Sequence, residues 1–269
     1  MARPVWFVNL IKKTFPNIKL IAKLTKVPVI GKILDNLLFE GDDIIYLPLD
    51  KVVPVNQTVE KEDMVLPSEV AEDFVKKARH HWIRKGCIWR GSRDCQDYPQ
   101  ELGCMFMGEA AEGINPELGR KVTKEEALEH LKKCEEAGLV HMIGRNKLDK
   151  QWLGVNPGNK LLTICNCCPC CCLWRIAPVL SPQIGSKVVK MPGVQVKVTD
   201  KCIGCGTCQD VCFVKAISII DKRAVISDQC RGCGRCVNVC PQQAIELNIN
   251  DPHFVRRSIE RIDKLVDLT

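Results

Sequence analysis

Along the first 40 residues, apolar side chains such as Val5, Phe7, Leu10, Ile11, Ile18, Ile21 and Leu24 recur at helical spacing between Lys12, Lys13, Lys19, Lys23 and Lys26. The pattern predicts two short basic amphipathic helices broken near Pro16 and Pro28. Residues 44–55 look extended, with prolines that suit an edge or a linker. Ser68 is a candidate cap for a helix running to about Arg84, with Val70, Phe74, Val75, Ala78 and Trp82 on its inner face. His80 and His81 fall near its end and point about 100° apart, which suits solvent or capping roles rather than one shared metal. Thr123 and Glu126 form a capping box, Val122 and Ala127 a hydrophobic staple, and Gly138 a C-terminal stop. Extended pieces follow at 139–143 and 161–165. Val194–Val198 alternates with period two, and Val255, Ile259, Ile262 and Val266 stripe a last helix opened by Asp251-Pro252. The expected class is α+β: a mostly helical N-terminal domain, then a small domain of short strands.

Composition adds the chemistry. The chain has 269 residues, a net charge of +7 and 18 cysteines. The first residues lack the apolar run of a secretion signal, and adjacent cysteines make poor disulfide partners, so thiolate–metal ligation in a reducing, cytoplasmic setting is expected. The basic residues are dispersed rather than gathered in a stripe, which disfavours nucleic acid as a partner. No apolar run approaches the roughly 20 residues that span a bilayer, so residues 1–40 are expected to pack on the protein's own core or a partner, with peripheral membrane contact as the alternative. The helix, strand, loop, strand order over 123–165 resembles the end of a winged helix.

The stretch Cys165-Asn-Cys167-Cys168-Pro-Cys170-Cys171-Cys172 has no packing rationale, because alanine or valine would fill a core as well. Upstream, Cys87, Cys95 and Cys104 sit on a Gly-, Asp- and Ser-rich loop, the kind of irregular segment a metal cross-links. These nine cysteines are the candidate ligands of an additional centre, whereas Cys134 lies on a helical apolar stripe and is expected to be structural. Three occupants stay open: one further [4Fe-4S] cluster on the loop cysteines plus part of the run, two clusters or one larger non-cubane centre, or a zinc, copper or redox-thiol site. His141 is a candidate proton donor or ligand there.

Further on, Cys202-Ile-Gly-Cys205-Gly-Thr-Cys208-Gln-Asp-Val-Cys212 is followed by Cys230-Arg-Gly-Cys233-Gly-Arg-Cys236-Val-Asn-Val-Cys240, with Ala216-Ile and Ala244-Ile after each: an internal duplication. Here residues 194–248 resemble the bacterial two-cluster ferredoxins. The resemblance implies two [4Fe-4S] clusters with crossed fourth ligands, Cys202, Cys205, Cys208 and Cys240 on one and Cys230, Cys233, Cys236 and Cys212 on the other. Phe213 departs from the family by standing where a proline is usual. The whole chain is similar to Cys-rich, ferredoxin-like proteins of anaerobes to which no activity is attached.

The expected organisation is a basic arm and extended segment over 1–60, a Cys-rich domain over 61–185, the two-cluster domain over 186–250 and a terminal helix over 251–269. The expected function is electron transfer between redox partner proteins, the two clusters and a centre on Cys165–Cys172. An enzyme with an unusual catalytic cluster and a built-in ferredoxin wire is the alternative, with a redox sensor third. No Gly-x-Gly-x-x-Gly or phosphate loop is present, which argues against an onboard nucleotide or flavin step.

Overall fold

A computed structural model describes residues 2–53 and 66–268. Pro54 and Val55 of the extended piece, and the domain boundary expected near residue 60, lie outside the described residues. Helices and strands coexist as α+β, but the Cys-rich part is built on a sheet rather than being mostly helical. Seven strands, β1 (Asp43–Tyr46), β2 (His81–Arg84), β3 (Met105–Met107), β4 (Gly119–Val122), β5 (Val140–Arg145), β6 (Leu162–Cys167) and β7 (Val188–Lys190), run in the order β4-β2-β3-β6-β5-β1-β7. All pairs are antiparallel except β1 with β7. β1 and β7 bring residues from either side of the 61–185 segment into one sheet.

The period-two pleat divides this sheet's side chains between two faces. Ile45, Met105, Met107, Ile143, Leu162 and Ile164 lie on one face. They pack against α4 (Ser68–Lys77), α6 (Lys124–Glu136) and α11 (Phe254–Asp263). α6 carries the expected capping box, Glu126 N donating to Thr123 Oγ1 and Thr123 N to Glu126 Oε2, and ends at Gly138 with φ +72°. The helix starting at Ser68 stops at Lys77, because Trp82 continues its spacing but belongs to β2. His81 closes that helix by bonding the Val75 carbonyl oxygen at 2.7 Å. α6, β5 and β6 are parts of the seven-stranded sheet assembly, not of a winged helix. α11 begins at Phe254, two residues later than a start at Pro252 would give, with Asp251 Oδ1 accepting from His253 N.

The other face carries Tyr46, Trp82, Phe106, Val140, Met142, Cys165 and Cys167. Over it lie three helices, not two: α1 (Val5–Thr14), α2 (Ile18–Leu24) and α3 (Pro28–Leu38). Pro16 sits in a single 3-10 turn and Pro28 at the first position of α3, where its missing N–H costs nothing. Thr25 Oγ1 accepts from Ser181 N at 2.9 Å, and buried Asp35 bonds Gln183 and Lys187. No helix among the described residues is long and apolar enough to cross a membrane.

Beyond β7 the chain makes two small antiparallel sheets, β8 (Val194–Val198) with β11 (Ile245–Ile249) and β9 (Ile217–Ile220) with β10 (Arg223–Ile226). They clamp the two cysteine runs between them.

Candidate metal centres

Each cysteine run begins in a tight loop. Gly204 and Gly232 adopt φ +70° and +65°, and a Cβ on Gly204 would stand 2.5 Å from the Lys222 carbonyl oxygen. The runs end on short helices, α9 (Thr207–Asp210) and α10 (Arg235–Val239). Their cysteines line two clefts. Cys202, Cys205, Cys208 and Cys240 face one, and Cys212, Cys230, Cys233 and Cys236 face the other. Each run therefore sends its fourth cysteine into the other's cleft. Backbone N–H groups of Ala216, Ala224, Gly232 and Ala244 point at Cys212, Cys202, Cys230 and Cys240 sulfurs over 3.2–3.4 Å, the donors that stabilise thiolate charge. A soft-donor set bathed in amide N–H groups fits an iron–sulfur cluster. Residues 193–247 match the 4Fe-4S dicluster domain family. This ferredoxin-type domain covers the duplication and stops short of the other ten cysteines. No curated protein and no solved structure matches the chain.

The ten remaining cysteines fall into three groups. β6 carries Cys165 and Cys167 on one face, opposite Met142 and Val140 of β5. The run thus starts inside a strand and leaves the sheet only at Cys168. Cys104 immediately precedes β3, whose pairing with β6 brings its sulfur to 3.6 Å from that of Cys165. Cys87 caps α5 (Ile88–Ser92), and Cys172 precedes a 3-10 turn over Leu173–Val179. All five, and Cys168 with them, line one chamber of about 400 Å³ beneath Phe7, Ile11 and Phe15 of the N-terminal helices and their connecting turn.

Burial, reinforced by Cys104, pushes the Cys87 thiol up to about 12. Sharing with Cys104 raises Cys165, sharing with Cys167 raises Cys172, and Cys167 is correspondingly held low by both neighbours. Three thiols that resist ionising, Cys87, Cys165 and Cys172, beside Cys167, which ionises readily, suit a cationic centre that stabilises them together. Balancing charge is at hand. Arg90 is wholly buried; its Nη1 donates to the Asn166 carbonyl oxygen at 2.8 Å, its Nη2 to that of Leu102, and its Nε has no partner. Cys87, Cys168, Cys104 and Cys167 hold its charge in place. Asp149, raised to about 6 by burial, also lines the chamber and accepts from the Trp152 indole at 2.8 Å.

The second group is Cys95, Cys168, Cys170 and Cys171, whose sulfurs all lie within 4.8 Å of one another. Cys134, fully buried on α6, shares an apolar cluster with Cys95, Cys168 and Cys171 but is not among the four close sulfurs, and its own sulfur lies 3.6 Å from His130 Nε2. His141 faces away from the chamber, bonding Asn166 Oδ1 through Nδ1 at 2.7 Å on the opposite side of the sheet.

The chamber and the second ferredoxin cleft adjoin. Phe213, the departure from the usual proline, is buried with its ring 4.8 Å from that of Tyr46, and Tyr46 Oη lies 3.7 Å from Cys172 Sγ. Arg235, between Cys233 and Cys236, donates to the carbonyl oxygen of Cys167. Sequence reasoning missed Tyr46, Arg84, Arg90 and Asp149. Arg90 and Arg235 could have been suspected, being cations embedded among cysteines.

Proposed function

We propose that the protein is an iron–sulfur electron-transfer protein in which two [4Fe-4S] clusters of the C-terminal domain exchange electrons with a further centre held by Cys87, Cys104, Cys165, Cys167 and Cys172. The observation that carries this is one continuous apolar cluster containing Cys212, Cys230 and Cys233 of the second cleft together with Cys165, Cys167 and Cys172, with Tyr46 and Phe213 between them. A second apolar cluster joins the two ferredoxin clefts through Cys208, Cys212 and Cys236. Cys205 and Ile203 are exposed at the far end, the natural contact for a redox partner protein. When bound, the clusters supply one-electron carriers; the chain isolates them from water, neutralises their charge and fixes their order.

Anaerobic iron and sulfide analysis with electron paramagnetic resonance tests this. Two cubes alone account for about eight iron per chain. More iron, and a reduced signal lost in Cys104→Ser/Cys165→Ser with the ferredoxin signals retained, is expected. Eight iron and no further signal would remove the additional centre.

One observation favours a second reading, in which the further centre turns over a small substrate. The chamber has a cavity of about 400 Å³, whereas the two ferredoxin clefts hold only about 10 and 20 Å³. Arg84 and Asp149 line it beside the thiols, giving a ligand a cation and a proton source. A reduced signal that shifts on adding cyanide would support this reading, and an unchanged one would favour plain electron transfer.

A further inference from the structure

Four thiolates around a [4Fe-4S] cube and four around a single ion differ in spacing. Around one tetrahedral ion with metal–sulfur bonds of about 2.3 Å, the sulfurs stand roughly 3.8 Å apart. Around a cube each thiolate sits on a different iron, and the sulfurs are spread much wider. The sulfurs of Cys95, Cys168, Cys170 and Cys171 lie within 4.8 Å of one another, Cys95 and Cys170 at 3.5 Å. Among the described residues, no three cysteines of either ferredoxin cleft come that close. The same chain therefore displays both spacings, and the tight one is at the turn after β6.

We propose that Cys95, Cys168, Cys170 and Cys171 bind a single tetrahedral zinc-type ion, separate from every iron–sulfur centre. The local chain is shaped for it. Cys171 N donates to Cys168 Sγ at 3.2 Å, an amide pointed at a sulfur three residues back. Arg175 pins the turn by donating to the carbonyl oxygens of Pro169 and Cys170, and the Arg90 charge interacts with Cys168. All four sulfurs are protein ligands and leave no open position, the mark of a structural rather than catalytic site.

The ion has a task in this fold. Cys87, Cys95 and Cys104 lie on one irregular loop, of which only α5 is regular. Joining Cys95 to the turn at Cys168–Cys171 clamps that loop to the end of β6. This sets Cys87 and Cys104 over Cys165 and Cys167. The proposal rests on the reading that the other five cysteines form their own centre only for this task; the ion itself stands on the spacing.

Metal analysis and zinc-edge X-ray absorption on the anaerobically purified wild-type chain provide the test. The expected result is one zinc per chain with four sulfur neighbours at about 2.3 Å. Cys170→Ser should lose that zinc without loss of ferredoxin signals. Zinc below a tenth of an equivalent in the wild-type protein overturns the proposal. So does loss of about four iron and four sulfide, in place of zinc, from Cys170→Ser, which would mean a cube. A single iron at the site would overturn the zinc assignment. Failure of the five-thiol centre shows instead as missing iron with zinc present, so the two readings fail separately.

Discussion

Replacing Arg90 by Gln removes a buried positive charge set among Cys87, Cys104, Cys167 and Cys168 while leaving the ferredoxin clefts untouched. At an effective dielectric of about 20, a unit charge about 5–10 Å from a cluster contributes roughly 1.7–3.3 kcal/mol. For a one-electron couple, where 59 mV is tenfold, that is about 70–140 mV. Reduction adds negative charge, so the cation raises the midpoint and its loss lowers it. Arg90→Lys keeps the charge but not the fork that reaches both the Asn166 and Leu102 carbonyl oxygens. Leaving those two buried acceptors unpaired costs about 1–3 kcal/mol each, so both variants should be less stable. The assay is a redox titration followed by electron paramagnetic resonance. A midpoint about 70–140 mV lower in Arg90→Gln, less change in Arg90→Lys and constant ferredoxin midpoints are expected. An unchanged or higher midpoint in Arg90→Gln, with the centre intact, refutes the electrostatic role.

Burial pushes the Asp42 carboxyl up to about 8 from 3.8, so the folded chain keeps a proton that the unfolded chain releases between those values. Stability should therefore fall as pH rises through that window, by up to about 1.4 kcal/mol per unit, and Asp42→Asn should flatten the curve in thermal unfolding at pH 5–8. Cys134→Ala should leave iron, sulfide and zinc contents unchanged, since Cys134 packs beside the four close sulfurs without being one of them and its sulfur bonds His130; loss of any metal would reassign it. Trp6, Leu20, Val29 and Ile33 are exposed beside the arm's lysines, so sedimentation with anionic but not neutral vesicles is expected, weakened by Lys19→Glu/Lys23→Glu; no sedimentation would exclude a lipid role for the arm.

What was legible in the sequence was local. The capping box at Thr123, the stop at Gly138 and the duplicated ligand runs depend on residues a few positions apart, and each has its counterpart in the fold. β2, β3 and β7 span three or four residues each, too few for an alternation to emerge. Trp82 lies four residues beyond Ala78, so helical spacing carries straight across a helix end. The division of the nine other candidate cysteines was hidden for a different reason. It depends on the pleat of β6, which holds Cys165 and Cys167 to one face, and on the exit at Cys168, which turns Cys168, Cys170 and Cys171 toward Cys95 while Cys172 comes back to the chamber. His141 looked close to the thiols in sequence terms, but the register that pairs it with Asn166 puts a sheet between them.

The parallel pairing of β1 with β7 has a consequence for biosynthesis. β1 is complete at Tyr46, yet its neighbours β5 and β7 end only at Arg145 and Lys190. Until β7 is made, the edge of β1 away from β5 has no partner, and the sheet beneath α1–α3 is incomplete. Cys165 and Cys167 therefore emerge before the last strand of their own sheet, which leaves an interval in synthesis for iron and sulfide to reach them ahead of the completed sheet.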